Sequence, residues 1–238
     1  MQAALATLAP LAAVAAPLRI LVFGDSLTAG WTSFGSGPTS PFSPALQAAL
    51  GDRHLRSEIT AAGQAGRRAA EGLQPLKRQL TAHKYDVVCI LLGANDLYSS
   101  LNSGARLQEH TVSKLVADLN VLHSAVRAAG AVSISIGMLD HPFLSQQFPG
   151  VRAEINARLE ADVRADNHID AGRLLPSSQP VWSADSVHLQ AEGYEELGRL
   201  LAAPLADAFA AKGFGKGILA HAPGPAGRHG ATTHDGHG

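Results

Sequence analysis

Cysteine is almost missing from this sequence: Cys89 is the single one in 238 residues, so no disulfide framework can exist within the chain and the redox compartment is left open. Cys89 lies in the apolar run Val87-Val88-Cys89-Ile90-Leu91-Leu92, which implies an inert buried thiol. An excess of one charge is also lacking. Nineteen Lys and Arg face 20 Asp and Glu, a formal net charge of −1 with no basic or acidic block, so an extended polyanion such as nucleic acid is excluded as an obvious partner. That balance suits small or neutral substrates.

No lysine or arginine precedes Arg19. The opening residues 1–17, MQAALATLAPLAAVAAP, contain an Ala13-Val14-Ala15 stretch like a signal-peptidase site, yet they lack the basic stretch that begins a secretory signal. With Pro10 inside, the segment is too short to cross a bilayer as a helix. The expectation is a cytoplasmic protein without stable membrane insertion, with secretion as the alternative. Three catalytic signatures are absent as well: the G-x-S-x-G elbow, the P-loop and H-E-x-x-H.

What is present is a chain that is 46% hydrophobic, long enough for one sizeable α/β domain and too short for two comfortable ones. Between residues 18 and 212 two apolar patterns alternate. Short aliphatic runs at Leu18 to Phe23, near Arg56 to Ala61, and at Asp86 to Leu92, Ala131 to Met138 and Asn167 to Asp170 predict five strands. Helical spacing intervenes at Leu73, Leu76 and Leu80, at Val112 to Val126, at Val151, Ile155, Leu159 and Val163, and from about Gln190 to Ala211. Repeated strand-helix units of this kind imply a parallel sheet covered on both faces. Residues 213–238, rich in Gly, Ala, Pro and His, have little that could build a core and are expected to be a disordered tail. Its histidines, His221, His229, His234 and His237, have no fixed helical spacing and no acidic or thiol partners, so no metal site is expected there.

Chemistry concentrates where strands are expected to end. Strand one runs into Gly24-Asp25-Ser26-Leu27, placing Ser26 where open α/β sheets bind ligands. The bland alternative is a polar turn in which Asp25 or Ser26 caps the next helix. A serine nucleophile needs a base and an orienting carboxylate, and Asp185-Ser186-Val187-His188, just ahead of the last helix, offers both. Asp185 can fold back on His188 in a turn; otherwise Asp185 is a loop residue and His188 a partly buried histidine. Attack on a carbonyl also needs donors for the developing oxyanion. Candidates are the backbone N–H of Ser26, the Asn95 side chain after strand three, and a glycine N–H in Ala62-Gly63-Gln64-Ala65-Gly66, where Gly66 competes with Gly63. Asn95 can equally be a helix cap and Gly66 an ordinary turn glycine.

These four segments, GDSL at 24–27, AGQAG at 62–66, GAND at 93–96 and DSVH at 185–188, resemble in order the motifs of the SGNH hydrolases, also called GDSL esterases and lipases. The resemblance spans residues 18–212. It implies a flavodoxin-like, three-layer α/β/α sandwich on a five-stranded parallel sheet, and hydrolysis of esters or thioesters through an acyl-serine without a metal or other cofactor. By motif position Ser26 is the nucleophile, His188 the base, Asp185 its partner, and Gly66 and Asn95 oxyanion donors with the Ser26 N–H. Arg67 and Arg68 depart from the pattern, where relatives often carry a small polar residue and threonine; two solvated arginines are expected. The partner implied is a small-molecule ester.

Trp31, Phe34, Tyr98, Phe143, Phe148 and Trp182 could line an acyl or alcohol pocket, and Leu139 to Gly150 is expected to be a long loop partly covering it. Deacetylation of sugars and hydrolysis of lysophospholipids or acyl thioesters stay open as alternatives, as does a non-catalytic ligand-binding module of the same fold. Nothing in the sequence speaks to the oligomeric state.

Overall fold

The computed structural model describes residues 16–34, 38–102, 109–147 and 150–214. In chain order the elements are β1 (Leu18–Gly24), α1 (Ser26–Ala29), α2 (Ser43–Gly51), β2 (Ser57–Gly63), a 3-10 turn (Ala69–Glu71), α3 (Leu73–Ala82), β3 (Val87–Leu91), α4 (Ala94–Asn102), α5 (Glu109–Ala128), β4 (Val132–Ile136), α6 (Pro142–Gln147), α7 (Val151–Asp162), β5 (Asn167–Ile169), α8 (Ala171–Leu174) and α9 (Ala191–Ala211). All five strands fall where the aliphatic runs predict them.

They form one parallel sheet in the order β2-β1-β3-β4-β5, the flavodoxin-like arrangement. Side chains alternate across a strand, so β1 sends Ile20 and Val22 into one core and Leu21 and Phe23 into the other. The first core is closed by α2, α8 and α9 through Leu46, Leu50, Ala171, Leu197, Leu201 and Leu205, and the second by α3, α5 and α7 through Leu76, Leu119, Leu122 and Ile155. Cys89 is fully buried in the first, where burial pushes its thiol up to about 12, consistent with an inert residue. Edge strand β2 alternates between half-buried and exposed positions, which is why its run is the weakest in the sequence. The result is the three-layer sandwich.

Two segments differ from expectation. No helix is expected between the first two strands, yet α2 forms there and packs along α9, burying Phe42, Leu46, Ala49 and Leu50. Within Leu139 to Gly150, expected as loop, α6 occupies Pro142–Gln147; proline in the first helical position leaves no donor wanting there. Past Ala211 the chain turns through Phe214, whose ring meets Phe209 edge-on at 6.3 Å. Residues 1–15 and 215–238, which contain most of the opening segment and the four tail histidines, lie outside the described residues. Among those described, no helix is long and apolar enough to cross a membrane.

The strand order also fixes where a site can sit. From β1 the chain winds outward to β2 and then returns to the other side of β1 as β3. The crossovers therefore diverge at the carboxyl end of β1, opening a crevice there. Ser26 is two residues beyond that end.

Candidate active site

The loop before α9 folds back on itself. Asp185 Oδ1 accepts the backbone N–H of Val187 and of His188, each at 2.9 Å, and Ser186 between them holds φ at 62°, a left-handed conformation that side chains other than glycine rarely adopt. The second oxygen, Oδ2, lies 2.8 Å from His188 Nδ1, while His188 Nε2 lies 3.0 Å from Ser26 Oγ. Burial works to raise the Asp185 carboxyl, but the N–H and ring of His188 and the N–H of Val187 outweigh it and hold it below the usual carboxylate range. A carboxylate at Nδ1 fixes that nitrogen as the protonated one, leaving the Nε2 lone pair toward Ser26. The loop is tied to the segment after α1: Ser183 Oγ donates to Thr32 O at 2.5 Å and Tyr194 Oη to Trp31 O at 2.6 Å. Phe34 on that segment meets the His188 ring edge-on, centroids 4.9 Å apart, although it is 63% exposed.

On the serine side, Leu27 N–H donates to Asp25 Oδ1 at 3.0 Å, so Asp25 caps α1 and Ser26 is its first residue. Capping turn and serine approached by histidine are thus both present. Asp25 is buried, and desolvation pushes its carboxyl up to about 7 against the pull of the Leu27 N–H and the Arg67 charge. Asn95, in the first turn of α4, points its amide back across the end of β1. Its Nδ2 donates to Asp25 Oδ2 at 3.1 Å and to Arg67 O at 3.2 Å. An amide nitrogen has two hydrogens, so both are engaged at long distances, and an oxyanion would have to share one. This is not the geometry of a helix cap.

Of the two candidate glycines, Gly63 ends β2 in register with Gly24 and is pressed against α1, where an added Cβ would fall 2.2 Å from Ala29 N. Gly66 sits in the exposed turn beyond, at φ +75° with open space where a Cβ would sit. Gly63 serves close packing, whereas Gly66 supplies a loop N–H through a conformation that favours glycine.

The two arginines part company. Arg68 is exposed and ion-paired to Glu71, as expected of a solvated residue. Arg67 is not: it is 7% exposed, its Nη1 donating to Gly24 O at 2.7 Å and Ala62 O at 2.9 Å, its Nη2 to Gln64 Oε1 at 2.9 Å, its guanidinium 4.4 Å from the centre of the Phe23 ring. The expectation of two solvated arginines is corrected here. The carbonyls at the ends of β1 and β2 accept from the guanidinium fork in addition to their backbone donors, and a buried fork meets more fixed partners there than it would keep in competition with water.

Sequence reasoning did not single out Asp25 as the acceptor for Asn95, nor Asp96, which receives the Ala69 N–H at 3.0 Å and so ties α4 to the turn after Gly66. His141 was missed as well. It stacks on Tyr98 at 5.8 Å beside Phe143 and Trp182, and its Nδ1 accepts the Leu144 N–H at 3.1 Å. Burial drives it down to about 4, so it is neutral at physiological pH. Phe143 N–H donates to Ser186 O at 3.0 Å, joining α6 to the Asp185–His188 turn. Tyr98 and Phe143 therefore border the site, Trp182 is core, and Phe148 lies outside the described residues. Among the described residues no three His, Cys, Asp or Glu side chains gather as a metal site would require.

Comparison with known proteins adds a family to this geometry. The family model for the GDSL-like lipases and acylhydrolases matches residues 22–196, most of the chain. The chain belongs to that family. Its members are ester-cleaving hydrolases, and this GDSL-family chain is an enzyme of that kind. Similar solved structures include TesA (21% identity, TM-score 0.62, covering 80% of this chain and 99% of that one). The psychrotrophic esterase EstA from Pseudoalteromonas sp., inhibited by monoethylphosphonate, is 19% identical at TM-score 0.59, with 81% and 98% covered. A carbohydrate acetylesterase family member from Sinorhizobium meliloti is 22% identical at TM-score 0.61, with 81% and 99% covered. Identities this low speak for the fold. No curated protein matches the sequence.

Proposed function

We propose that this GDSL-family hydrolase cleaves small-molecule carboxylic esters through an acyl-serine formed on Ser26. The observation that carries the reading is the continuous chain from Asp185 Oδ2 to His188 Nδ1, 2.8 Å, and from His188 Nε2 to Ser26 Oγ, 3.0 Å. His188 Nε2 takes the Ser26 hydroxyl proton as Oγ bonds to the substrate carbonyl carbon. Asp185 orients the ring and stabilises the imidazolium that results. The carbonyl oxygen becomes an oxyanion facing the N–H groups of Ser26 and Gly66 and the Asn95 amide, which shifts one hydrogen from its resting acceptors toward the new charge. Collapse breaks the bond to the alcohol oxygen, which leaves with the proton from Nε2. Water, deprotonated by the same nitrogen, then hydrolyses the acyl-serine and returns Ser26 to its starting state. No step calls on a metal or cofactor.

The unit to which this chemistry is assigned is residues 18–212, with Phe214 packed on its core. The test is hydrolysis of para-nitrophenyl esters of increasing acyl length by the wild type, by Ser26→Ala and by a chain ending at 214. Turnover by the first and last, with none by Ser26→Ala, is expected. Unchanged turnover in Ser26→Ala would overturn the reading.

A further inference from the structure

The geometry points to Arg67 as a positioning residue of the oxyanion site, one that fixes the donors on Gly66 and Asn95 without touching substrate. The inference rests on the oxyanion roles proposed above. The three donor-bearing segments arise from distant parts of the chain: the end of β1, the turn after β2 and the start of α4. Arg67 bonds to all three. Its guanidinium bridges the last carbonyl of β1, Gly24 O, and Ala62 O near the end of β2. Gly24 O also receives the Gln64 N–H at 3.1 Å, and Gln64 O receives the Arg67 N–H at 3.1 Å. The turn that carries Gly66 is therefore closed at both ends by Arg67, once through its backbone and once through its side chain, with Gln64 Oε1 as a third tie. Its own carbonyl, meanwhile, is one of the two acceptors holding the Asn95 amide.

The chemistry favours arginine at this place over other side chains. A planar fork reaches two carbonyls on neighbouring strands and a side-chain amide at once, and its flat face rests on Phe23. Lysine has one nitrogen and cannot span the same set. An aliphatic residue would fill the space but leave Gly24 O with one donor and Ala62 O without this partner. Gly66 is exposed and faces open space where a Cβ would sit, so the direction of its N–H is set by the turn that these bonds close. A misplacement on the order of 1 Å at a donor can cost about 10²-fold in rate.

The test compares Arg67→Lys and Arg67→Met with the wild type on one para-nitrophenyl ester, with Ser26→Ala as the blank. Because a donor acts on the transition state, kcat should fall about 10- to 100-fold with KM nearly unchanged. Affinity for a trifluoromethyl ketone, which Ser26 converts to a tetrahedral oxyanion adduct, should fall by the same factor. Combining either variant with Asn95→Ala should cost less than the product of the single losses, since both act on one donor set. Melting temperature is measured on every variant. If Arg67→Met keeps wild-type kcat and ketone affinity, or if Arg67→Lys and Asn95→Ala losses simply multiply, the positioning role is overturned. Should Arg67→Met fail to fold, Arg67→Lys alone decides. A wild type with no ester turnover, or an active Ser26→Ala, would instead sink the reading of Ser26.

Discussion

The two sides of Ser26 are built in opposite ways. On the base side, Asp185 and His188 stand three residues apart, and a single turn closed by Asp185 Oδ1 brings them together. On the proposed donor side, the N–H groups and amide belong to residues 26, 66 and 95, and Asp25, Arg67 and Asp96 bond across segments tens of residues apart around them. The Asp185–His188 contact is made within its own turn, and distant ties such as Ser183 to Thr32 only seat that turn, whereas the donor arrangement itself is built from partners that never meet the substrate.

The contrast is sharpest where chemistry is removed outright. His188→Ala should lower kcat/KM by about 10⁴- to 10⁶-fold, and Ser26→Ala with it should be no worse than either alone, because the pair acts as one unit. Steady-state kinetics of the three proteins check this; additive losses would separate the two residues. Asp185→Asn keeps the size of the side chain but offers Nδ1 a donor in place of a carboxylate oxygen, so the ring is left in the wrong tautomer. A loss of about 10³- to 10⁴-fold in kcat is expected, and a rate within tenfold of wild type would show that Asp185 matters only to the turn.

The donor side should yield in smaller steps. Asn95→Ala should cost about 10²- to 10³-fold in kcat with KM little changed. If the variant instead loses about 1 kcal/mol of stability, the net worth of an ordinary hydrogen bond, and turns over normally, its amide serves only to join α4 to β1.

Legibility follows the same division. The contact within DSVH could be read directly, because Asp185, His188 and the turn between them lie within one stretch of four. The strands were legible for a similar reason: a buried parallel strand is a continuous aliphatic run. Helix α2 was missed although Phe42, Leu46 and Leu50 have helical spacing, the run being short and lying beside the glycine-rich stretch at 35–37. Pro142 was likewise a start signal for α6 that went unused. Arg67 is another matter. Nothing local separates it from Arg68, and its burial depends on Phe23, Gly24 and Ala62 meeting at one end of the sheet. The strained φ of Ser186 is imposed by the bonds to Asp185 and has no signature in the residue type.

Asp25 offers a test by pH. Burial pushes its folded carboxyl up to about 7 from the ordinary 3.8, so between these values the folded state binds more protons than the unfolded one. Stability therefore falls as pH rises across that window. Asp25→Asn removes this slope: relative to wild type it should gain on the order of 1–3 kcal/mol between pH ~4 and ~7, followed by urea titration at several pH values. A difference that stays flat with pH would mean Asp25 is ionised throughout, its charge held by Asn95 and Arg67. At the small end, Arg68→Ala should leave kcat and melting temperature as in wild type, because its ion pair with Glu71 is exposed. A kcat change as large as that of the Arg67 variants would erase the distinction between the neighbours.

The central claim is that one serine of this chain is a nucleophile, and labelling tests it most directly. A fluorophosphonate reacts with a serine that has both a base and donors for the phosphonyl oxygen. After treatment at neutral pH, digestion and mass spectrometry should find one adduct, on Ser26, with esterase activity lost in proportion. An adduct on another serine, or none while the ester-active enzyme is inactivated, would contradict the account.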